Sequence, residues 1–398
     1  MTQSNFPEPL RGGDVDSFAE HTVRVRMPAL AARVIADNSF SAEINARLTA
    51  LQHEIPNGSI RQLADPKMPH MQVWADAIAP YVGQTWLDVP WLFAEIYQHA
   101  RILEATRYFE NGIDPFALQK RQALESALDE IRPIAAQLPR WIEAAYTNEG
   151  LAELLALAMW GNQADLGLFP IGTERPSHET VAQRTQATLI DHHAQVVDWL
   201  TTQLPGRIDI LLDNSGLELC SDLALTSFLL ATGLAKQVVL HCKSVPYFVS
   251  DATATDIDGT IRAFADDTSP ALNRLAQQLT LGLQNGQIVV TTAPEWTLPQ
   301  PYWALPHSIR NYFPNSTLII SKGDLNYRRW VGDLAWPYST PAAEVLHYVA
   351  CSLLLLRTLK SEVLIGLPVA KVERLNSAEV DWLTSGRYGV IQFHNPRG

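Results

Sequence analysis

Apolar residues recur every three or four positions from Phe18 to about Leu204 of the 398-residue chain. This spacing is typical of amphipathic helices, and it is clearest in ALAARVIADN, INARLTALQHEI, WLFAEIYQHARILEATRYF and ALDEIRPIAAQL. Prolines in the stretches ADPKMPH and LDVPW are expected to interrupt the helices. With strand signals nearly absent, residues 1–204 are predicted to form an all-helical bundle or cap.

After Pro205, short β-rich runs alternate with helical spans. The predicted strands are RIDILLD, QVVLHCKSVPYFVSD, QIVVTT, TLIISKGD, EVLIGL and YGVIQFH. The predicted helices are LELCSDLALTSFLLATGLA, SPALNRLAQQLTLGLQNG and AAEVLHYVACSLLLLRTLK. This alternation predicts an α/β domain over residues 205–398, with a largely parallel, doubly wound sheet and helices on both faces.

The composition is that of a folded protein, with 47% hydrophobic and 18% charged residues. A net charge of −12 and the lack of a Lys/Arg-rich run argue against nucleic-acid binding. A phosphorylated small molecule remains compatible with this charge, because a bound cation and a few lysines can reverse the local field.

No apolar stretch approaches the roughly 20 residues that a membrane helix needs, and the N-terminal segment has no apolar signal core. We therefore expect no membrane association. The three cysteines, Cys220, Cys242 and Cys351, are far apart and form no C-x-x-C pair. Their spacing argues against a disulfide framework and fits a cytoplasmic protein.

Oxygen-bearing side chains follow two predicted strands. Asp213 and Asn214 end the first strand, and Asp251 ends the second. In doubly wound sheets, ligands bind beyond the carboxyl ends of the strands, so these side chains can converge on a hard cation such as Mg²⁺ or Mn²⁺. The alternative is a purely local role, since Asp and Asn are favoured in turns and at helix N-termini.

Acidic and basic residues elsewhere in this half of the chain extend the candidate site. Glu218 and Asp222 lie four residues apart, on one face of the predicted helix that follows Asn214, where they either serve the site or complement the helix dipole. The segment SKGDLNYRRWVGD follows a predicted strand and places Lys322 where its ammonium can contact a phosphate. The alternative there is an exposed polar turn.

RTLK closes the apolar stretch LHYVACSLLLL, which is predicted to be a helix. Cations at that position either cap the last carbonyl groups or, for Lys360, project into the site. Neither G-x-G-x-x-G nor G-x-x-x-x-G-K-[ST] is present, and there is no G-x-S-x-G or short metal-binding histidine spacing. Nucleotide-loop and catalytic-triad functions therefore lack support.

Taken together and in this order, the segments DNSGLELCSDLALTSFLL, VPYFVSDAT, SKGDLNYRRWVGD and RTLK resemble the damage-control phosphatase family. The resemblance is to its acidic-residue-methyltransferase-like branch. PWLFAEIYQHARI and DPFALQK resemble the helical region of that branch, and WLTSGRYGVIQF resembles its ending. The resemblance thus covers nearly the whole chain.

The resemblance implies a metal-dependent phosphatase, with Mn²⁺, Ni²⁺ or Co²⁺, or else Mg²⁺, held by Asp213, Asn214 and Asp251. The Arg-Thr-x-Lys signature implies the branch that hydrolyses sugar phosphates such as fructose 1-phosphate and fructose 6-phosphate. The residues that the resemblance implies in substrate binding are Asp213, Asn214, Lys322, Gly323, Asp324, Leu325, Asn326, Arg357 and Lys360, with Thr358 completing the signature. Asp213, Asp251 and Glu218 are the candidate catalytic carboxylates.

Two other functions stay open. In this branch the position of Glu218 is associated with S-adenosylmethionine, which suggests a protein carboxyl methyltransferase, although no G-x-G-type loop of the common methyltransferase fold is present. The other alternative is a non-catalytic sugar-phosphate sensor. Glu95, Arg101 and Asp114 in the helical region are candidates for a lid over the site, or else ordinary polar positions on helices.

Overall fold

The computed structural model describes residues 6–161, 181–310, 312–313 and 315–396. As predicted, the first half of the chain is mainly helical. Its helices are α1 (Phe18–His21), α2 (Met27–Asp37), α3 (Ala42–Asn57), α4 (Met71–Ile78), α5 (Trp91–Thr106), α6 (Tyr108–Asn111), α7 (Ala117–Ile142), α8 (Thr147–Trp160), α9 (Val181–Ala187) and α10 (His193–Thr202). The four predicted amphipathic stretches fall mainly in α2, α3, α5 and α7. ADPKMPH lies outside the helices, and LDVPW ends at the first residue of α5.

A seven-stranded sheet confirms the predicted α/β class. Its strands are β1 (Thr188–Asp191), β2 (Gly206–Leu211), β3 (Ala235–Cys242), β4 (Ile288–Thr292), β5 (Ser316–Lys322), β6 (Leu353–Thr358) and β7 (Gly389–His394), in the order β1-β7-β6-β5-β2-β3-β4. All neighbours pair in parallel except β6 and β7. The helices of this half are α11 (Leu217–Ala231), α12 (Ala254–Asp266), α13 (Pro270–Gln284), α14 (His307–Arg310), α15 (Gly323–Val331), α16 (Ala342–Val345) and α17 (Val369–Ala378).

One helix prediction and two strand predictions were wrong. The apolar run before RTLK is not a helix, because residues 353–358 form β6, which is buried at every position. A strand covered on both faces carries a nearly continuous apolar run, which resembles a buried helix in sequence. EVLIGL, in contrast, forms no strand. The second predicted strand ends at Cys242, so residues 243–251 belong to a loop.

Helices from both halves of the chain cover the sheet. One hydrophobic core joins α2, α3 and α5 to sheet residues such as Leu211 and Ile319. The other joins α7, α8, α11 and α13 to the alternate sheet residues, among them Ile210 and Ile320. Because β1 also precedes residue 205, the chain on each side of that position contributes to the same layers. The division into 1–204 and 205–398 stays a prediction.

The strand order places a ligand site. The chain runs from β2 outward to β3 and β4, then returns to the opposite side of β2 for β5 and β6. The switch in direction lies between β2 and β5, and crevices form beyond the carboxyl ends of strands at such points. Among the described residues, no helix combines the length and apolar character needed to cross a membrane.

Candidate active site

Main-chain hydrogen bonds bring together the segments that follow β2 and β3. Asn214 and Asp251 form a short antiparallel bridge. On either side of it, the Ser215 amide donates to the Ser250 carbonyl at 2.6 Å, and the Ala252 amide donates to the Asp213 carbonyl at 2.7 Å. Asp251 therefore reaches Asp213 and Asn214 through a returning loop, although it was predicted to end a strand.

The backbone of this returning loop is strained two and three residues before Asp251. Phe248 and Val249 have φ values of +40° and +66°, in a region that side chains with a Cβ rarely adopt. Such strain is concentrated at functional sites, where the surrounding structure enforces it. Here the hydrogen-bonded bridge to the β2 loop provides that enforcement and fixes the position of Asp251.

Gly323 lies directly against the Asp213 carboxylate. A Cβ atom at this position would stand 1.9 Å from Asp213 Oδ2, and the φ of +81° is also unfavourable for other residues. Asn326 connects the ends of β2 and β5, because its side-chain amide donates to the Leu212 and Lys322 carbonyls at 3.2 and 2.8 Å. Gly323 and Asn326 thus position the β2 end and need no direct ligand contact to do so.

A chain of buried polar contacts runs behind Asn214. The Asn214 carboxamide donates to Asp213 Oδ2 and to Glu218 Oε2, both at 2.8 Å, and its oxygen accepts from Ser250 Oγ at 2.6 Å. Glu218 in turn accepts from Lys322 Nζ at 2.8 Å. Glu218 therefore orients Asn214 from behind and does not line the cavity.

Lys322 was predicted to contact a phosphate, but its ammonium does not reach the cavity. Its side chain is fully buried, and its ammonium pairs with Glu218 and, at 2.7 Å, with Asp222. Burial opposes the charged form of Lys322, but the two carboxylates outweigh it and hold its pKa above the usual value. Burial raises the pKa of Asp222, and Lys322 offsets only part of that rise.

Asp324 and the Arg-Thr-x-Lys segment meet at the other side of the crevice. Arg357 belongs to β6, so the alternative of a helix cap is wrong for it. Its Nε donates to Asp324 Oδ1 at 2.8 Å, and Ser361 Oγ and the Lys360 amide bind the same oxygen. Arg357 is fully buried and holds Asp324 in place, whereas Lys360 lies beyond the carboxyl end of β6 at the cavity.

The convergence of these segments leaves a cavity of about 70 Å³ at the β2/β5 switch point. Its lining residues are Arg26, Trp91, Glu95, Asp213, Asn214, Phe248, Asp251, Asp324, Leu325, Arg328 and Lys360. Of the predicted site residues, Asp213, Asn214, Asp251, Asp324, Leu325 and Lys360 line it. Glu218, Lys322, Gly323, Asn326, Arg357 and Thr358 are not among its lining residues and surround it.

The arginines of this cavity were not predicted from the sequence. Arg328 is buried, pairs with Glu95 and with Asp333, and stacks 3.9 Å above the Trp91 ring. Arg26 ends a π-helical turn, a distortion that is frequent at functional sites. Arg328 belongs to the SKGDLNYRRWVGD segment. Its proximity in sequence to the predicted substrate-binding residues was the one feature that could have identified it. No comparable pattern marked Arg26.

Only one of the three lid candidates reaches this cavity. Glu95 lines it, and burial raises the pKa of Glu95 despite its ion pair with Arg328. Arg101 instead pairs with Glu54 in a separate cleft of the helical region. Asp114 lies 3.3 Å from Lys120 in a third cleft, next to the candidate site.

The donor set fits a hard divalent cation. Asp213, Asn214 and Asp251 line one cavity, and a set of two carboxylates and one carboxamide suits Mg²⁺ and Mn²⁺. In the part of the chain that the structure describes, no cluster of three or more His, Cys, Asp or Glu side chains forms a metal site. The side-chain carboxamide of Asn214 is therefore needed to complete a set of three metal ligands.

Known proteins are similar to this chain over nearly its full length. A family model of the damage-control phosphatase ARMT1-like domain matches residues 22–375. Damage-control phosphatase ARMT1 of Danio rerio is 29% identical over 98% of this chain and 97% of its own. The Homo sapiens protein of that name is also 29% identical, over 98% and 99%. A DUF89 family protein from Pyrococcus horikoshii shares the fold, with a TM-score of 0.50, 15% identity and 94% and 97% coverage of the two chains.

Proposed function

The chain belongs to the ARMT1-like damage-control phosphatase family, and from this premise we propose that it hydrolyses small sugar phosphates of the fructose 1-phosphate or fructose 6-phosphate type with a divalent metal. The family membership supports a metabolite damage-control phosphatase. The substrate class and the metal are the proposal.

The distribution of charge in the cavity carries this proposal. Asp213 and Asp251, with Asn214, lie on the β2 and β3 side, whereas Lys360 lies on the β6 side and Arg328 on α15. A metal site with Lys360 on the other side of the cavity is the arrangement that a phosphate dianion requires, because it needs positive charge on several of its oxygens. Arg328 adds to this charge, although Glu95 and Asp333 already pair with it. A neutral sugar would not need it.

Asp213, Asn214 and Asp251 would hold the metal. When bound, a divalent cation there supplies Lewis-acid polarisation of a phosphate oxygen, and Mn²⁺, Ni²⁺, Co²⁺ and Mg²⁺ are the candidates. Lys243 Nζ lies 3.0 Å from Asp251 Oδ2 and balances that carboxylate from outside the cavity. Glu218 fixes the carboxamide of Asn214 by accepting its N–H.

The reaction proposed is direct attack of water on phosphorus. A P–O bond to water forms, the P–O bond to the sugar breaks, and the sugar alcohol leaves with a proton. Lys360 and Arg328 stabilise the charge that develops on the phosphoryl oxygens. Asp251 is favoured over Glu218 for orienting the water, because Asp251 lines the cavity and Glu218 lies behind Asn214.

The stereochemical course at phosphorus distinguishes this route from an aspartyl-phosphate. Hydrolysis of a substrate whose phosphoryl group is made chiral with oxygen isotopes should invert the configuration, because direct attack by water is one in-line displacement. If Asp213 were the nucleophile, two successive displacements at phosphorus would give net retention. NMR analysis of the released chiral phosphate reads this out, and retention would refute direct attack.

Replacing Lys360 by alanine is expected to lower kcat/KM by about 10²- to 10³-fold, the usual effect of removing one electrostatic contact from a transition state. Metal occupancy should remain near that of the wild type, since Lys360 is not in the donor set. Lys236→Ala, an exposed lysine on β3, is the matched control. An unchanged kcat/KM in Lys360→Ala would remove Lys360 from phosphate binding.

A screen for phosphate release tests the function as a whole. Phosphorylated metabolites are incubated with the protein and Mn²⁺, Co²⁺, Ni²⁺ or Mg²⁺, or with chelator, and we expect metal-stimulated release from fructose phosphates. Two parallel assays cover the alternatives. Transfer of label from S-adenosylmethionine to protein carboxyl groups would indicate the methyltransferase, and sugar-phosphate binding without turnover would indicate the sensor.

A further inference from the structure

A second cleft, of about 400 Å³, lies next to the catalytic cavity. Ser215 and Lys243 line the cleft. Asn214, which precedes Ser215, and Asp251, which pairs with Lys243, line the cavity. The cleft is large enough for a small metabolite. It lies beyond the carboxyl ends of β3 and β4, where sheets of this kind bind ligands.

Two helices form the walls of this cleft. One wall is a stripe of α7 that comprises Ala117, Lys120, Arg121 and Leu124, whose spacing of three and four places them on one helix face. The facing wall is the N-terminal end of the 13-residue helix α12, where Thr253 caps the helix. The positive end of the α12 dipole therefore adds to the charges of the first wall.

The cleft contains one more basic side chain than its acidic side chains can pair with. Lys120 is buried and uses both carboxylates of the lining, with Nζ distances of 2.9 Å to Asp256 and 3.3 Å to Asp114. Arg121 is exposed, and its side chain makes no hydrogen bond or ion pair among the described residues. Its guanidinium is thus available to a ligand, and no carboxylate remains in the lining to hold a cation.

An unsatisfied hydroxyl group lies in the same cleft. Ser215 is 6% exposed, and its Oγ is buried without a hydrogen-bond partner among the described residues. A buried polar atom without a partner costs free energy, which a ligand oxygen that accepts from it would recover. This position is one residue beyond Asn214, so the hydroxyl is held by the same bridge that fixes the catalytic cavity.

We propose that this cleft binds a phosphate group, either as free phosphate or on a small phosphate monoester. Its oxygens would accept from Ser215 Oγ and from Arg121, and Lys243 would contribute charge from the floor of the cleft. This is a site in addition to the catalytic one. Because Lys243 also pairs with Asp251, one ammonium group adjoins both sites.

Equilibrium dialysis of the full-length protein against ³²P-labelled inorganic phosphate tests the site, with Mn²⁺ and again after chelation. We expect saturable binding under both conditions, and a rise in Kd of at least about tenfold in Arg121→Glu, since a lost charge-assisted contact becomes a repulsion. Ser215→Ala should weaken the same binding. Arg274→Glu, an exposed arginine on α13, is the matched control and should bind as the wild type does.

Absence of saturable binding after chelation would overturn the proposal. So would a Kd that is unchanged in both Arg121→Glu and Ser215→Ala, or binding that disappears in Lys360→Ala, because the phosphate would then lie in the catalytic cavity. Competition with fructose 6-phosphate identifies the source of the phosphate group. The result is independent of turnover, so this proposal and the phosphatase proposal can fail separately.

Discussion

Replacing Asp213 or Asp251 by alanine is expected to abolish metal binding and to lower metal-stimulated phosphate release by at least about 10³-fold. Each change deletes an anionic oxygen from a set of only two carboxylates and one carboxamide, and water replaces such a ligand poorly. Asp213 also accepts from the Asn214 carboxamide, so its loss disturbs a second ligand. Chelation of the wild-type protein should have the same effect on activity.

Metal bound per chain, measured by elemental analysis after dialysis, checks this expectation. Circular dichroism should show unchanged helix and sheet content, because the bridge that carries both residues is made by main-chain groups. Asp258→Ala, an exposed aspartate on α12, serves as the control. Full metal-stimulated turnover in both Asp213→Ala and Asp251→Ala would refute the assignment of the metal site.

Replacing Lys322 by methionine is expected to lower the free energy of unfolding by about 3–5 kcal/mol. Lys322 is the buried cation shared by Glu218 and Asp222, and its removal leaves both carboxylates inside the protein without their partner. The exposed Lys236→Met, on β3, should cost far less. Adding Asp222→Asn to Lys322→Met should restore part of the lost stability, because it removes one of the two buried carboxylates that lost their partner.

The loss in Lys322→Met should also depend on pH. Burial already raises the pKa of Asp222, and without Lys322 that pKa rises further. A carboxyl group whose pKa is higher in the folded than in the unfolded state binds more protons when folded, so its contribution to stability falls as pH rises. Urea unfolding at about pH 5.5 and about pH 8 should therefore show the larger loss at the higher pH. A small loss, equal at both pH values, would contradict this role of Lys322.

The local sequence pattern predicted the fold class well. It failed at elements whose secondary structure depends on tertiary contacts. The alternation after Pro205 was enough to predict the sheet. The run LLLLRT was assigned to a helix because periodicity cannot distinguish a strand buried on both faces from a buried helix. The helix α12 was also missed, and the four-residue β1 is too short to leave a pattern.

The candidate site shows the same limit. Asp213, Asn214 and Asp251 were recognised, but the loop that brings Asp251 back to Asn214 depends on main-chain hydrogen bonds that no spacing reveals. Lys322 was expected to face a phosphate, since a lysine next to a glycine at a strand end suggests a ligand contact. Its actual direction depends on Glu218 and Asp222, about 100 residues earlier in the chain.

The direct measurement of the central proposal is phosphate release from fructose 1-phosphate and fructose 6-phosphate by chelator-treated protein, before and after Mn²⁺ is restored. The wild type should be inactive without metal and active with it, whereas Asp251→Asn, which keeps the shape of the side chain and loses its charge, should respond weakly or not at all. Equal phosphate release by the wild type with and without metal, or full recovery of Asp251→Asn by Mn²⁺, would contradict a metal-dependent phosphatase centred on Asp213, Asn214 and Asp251.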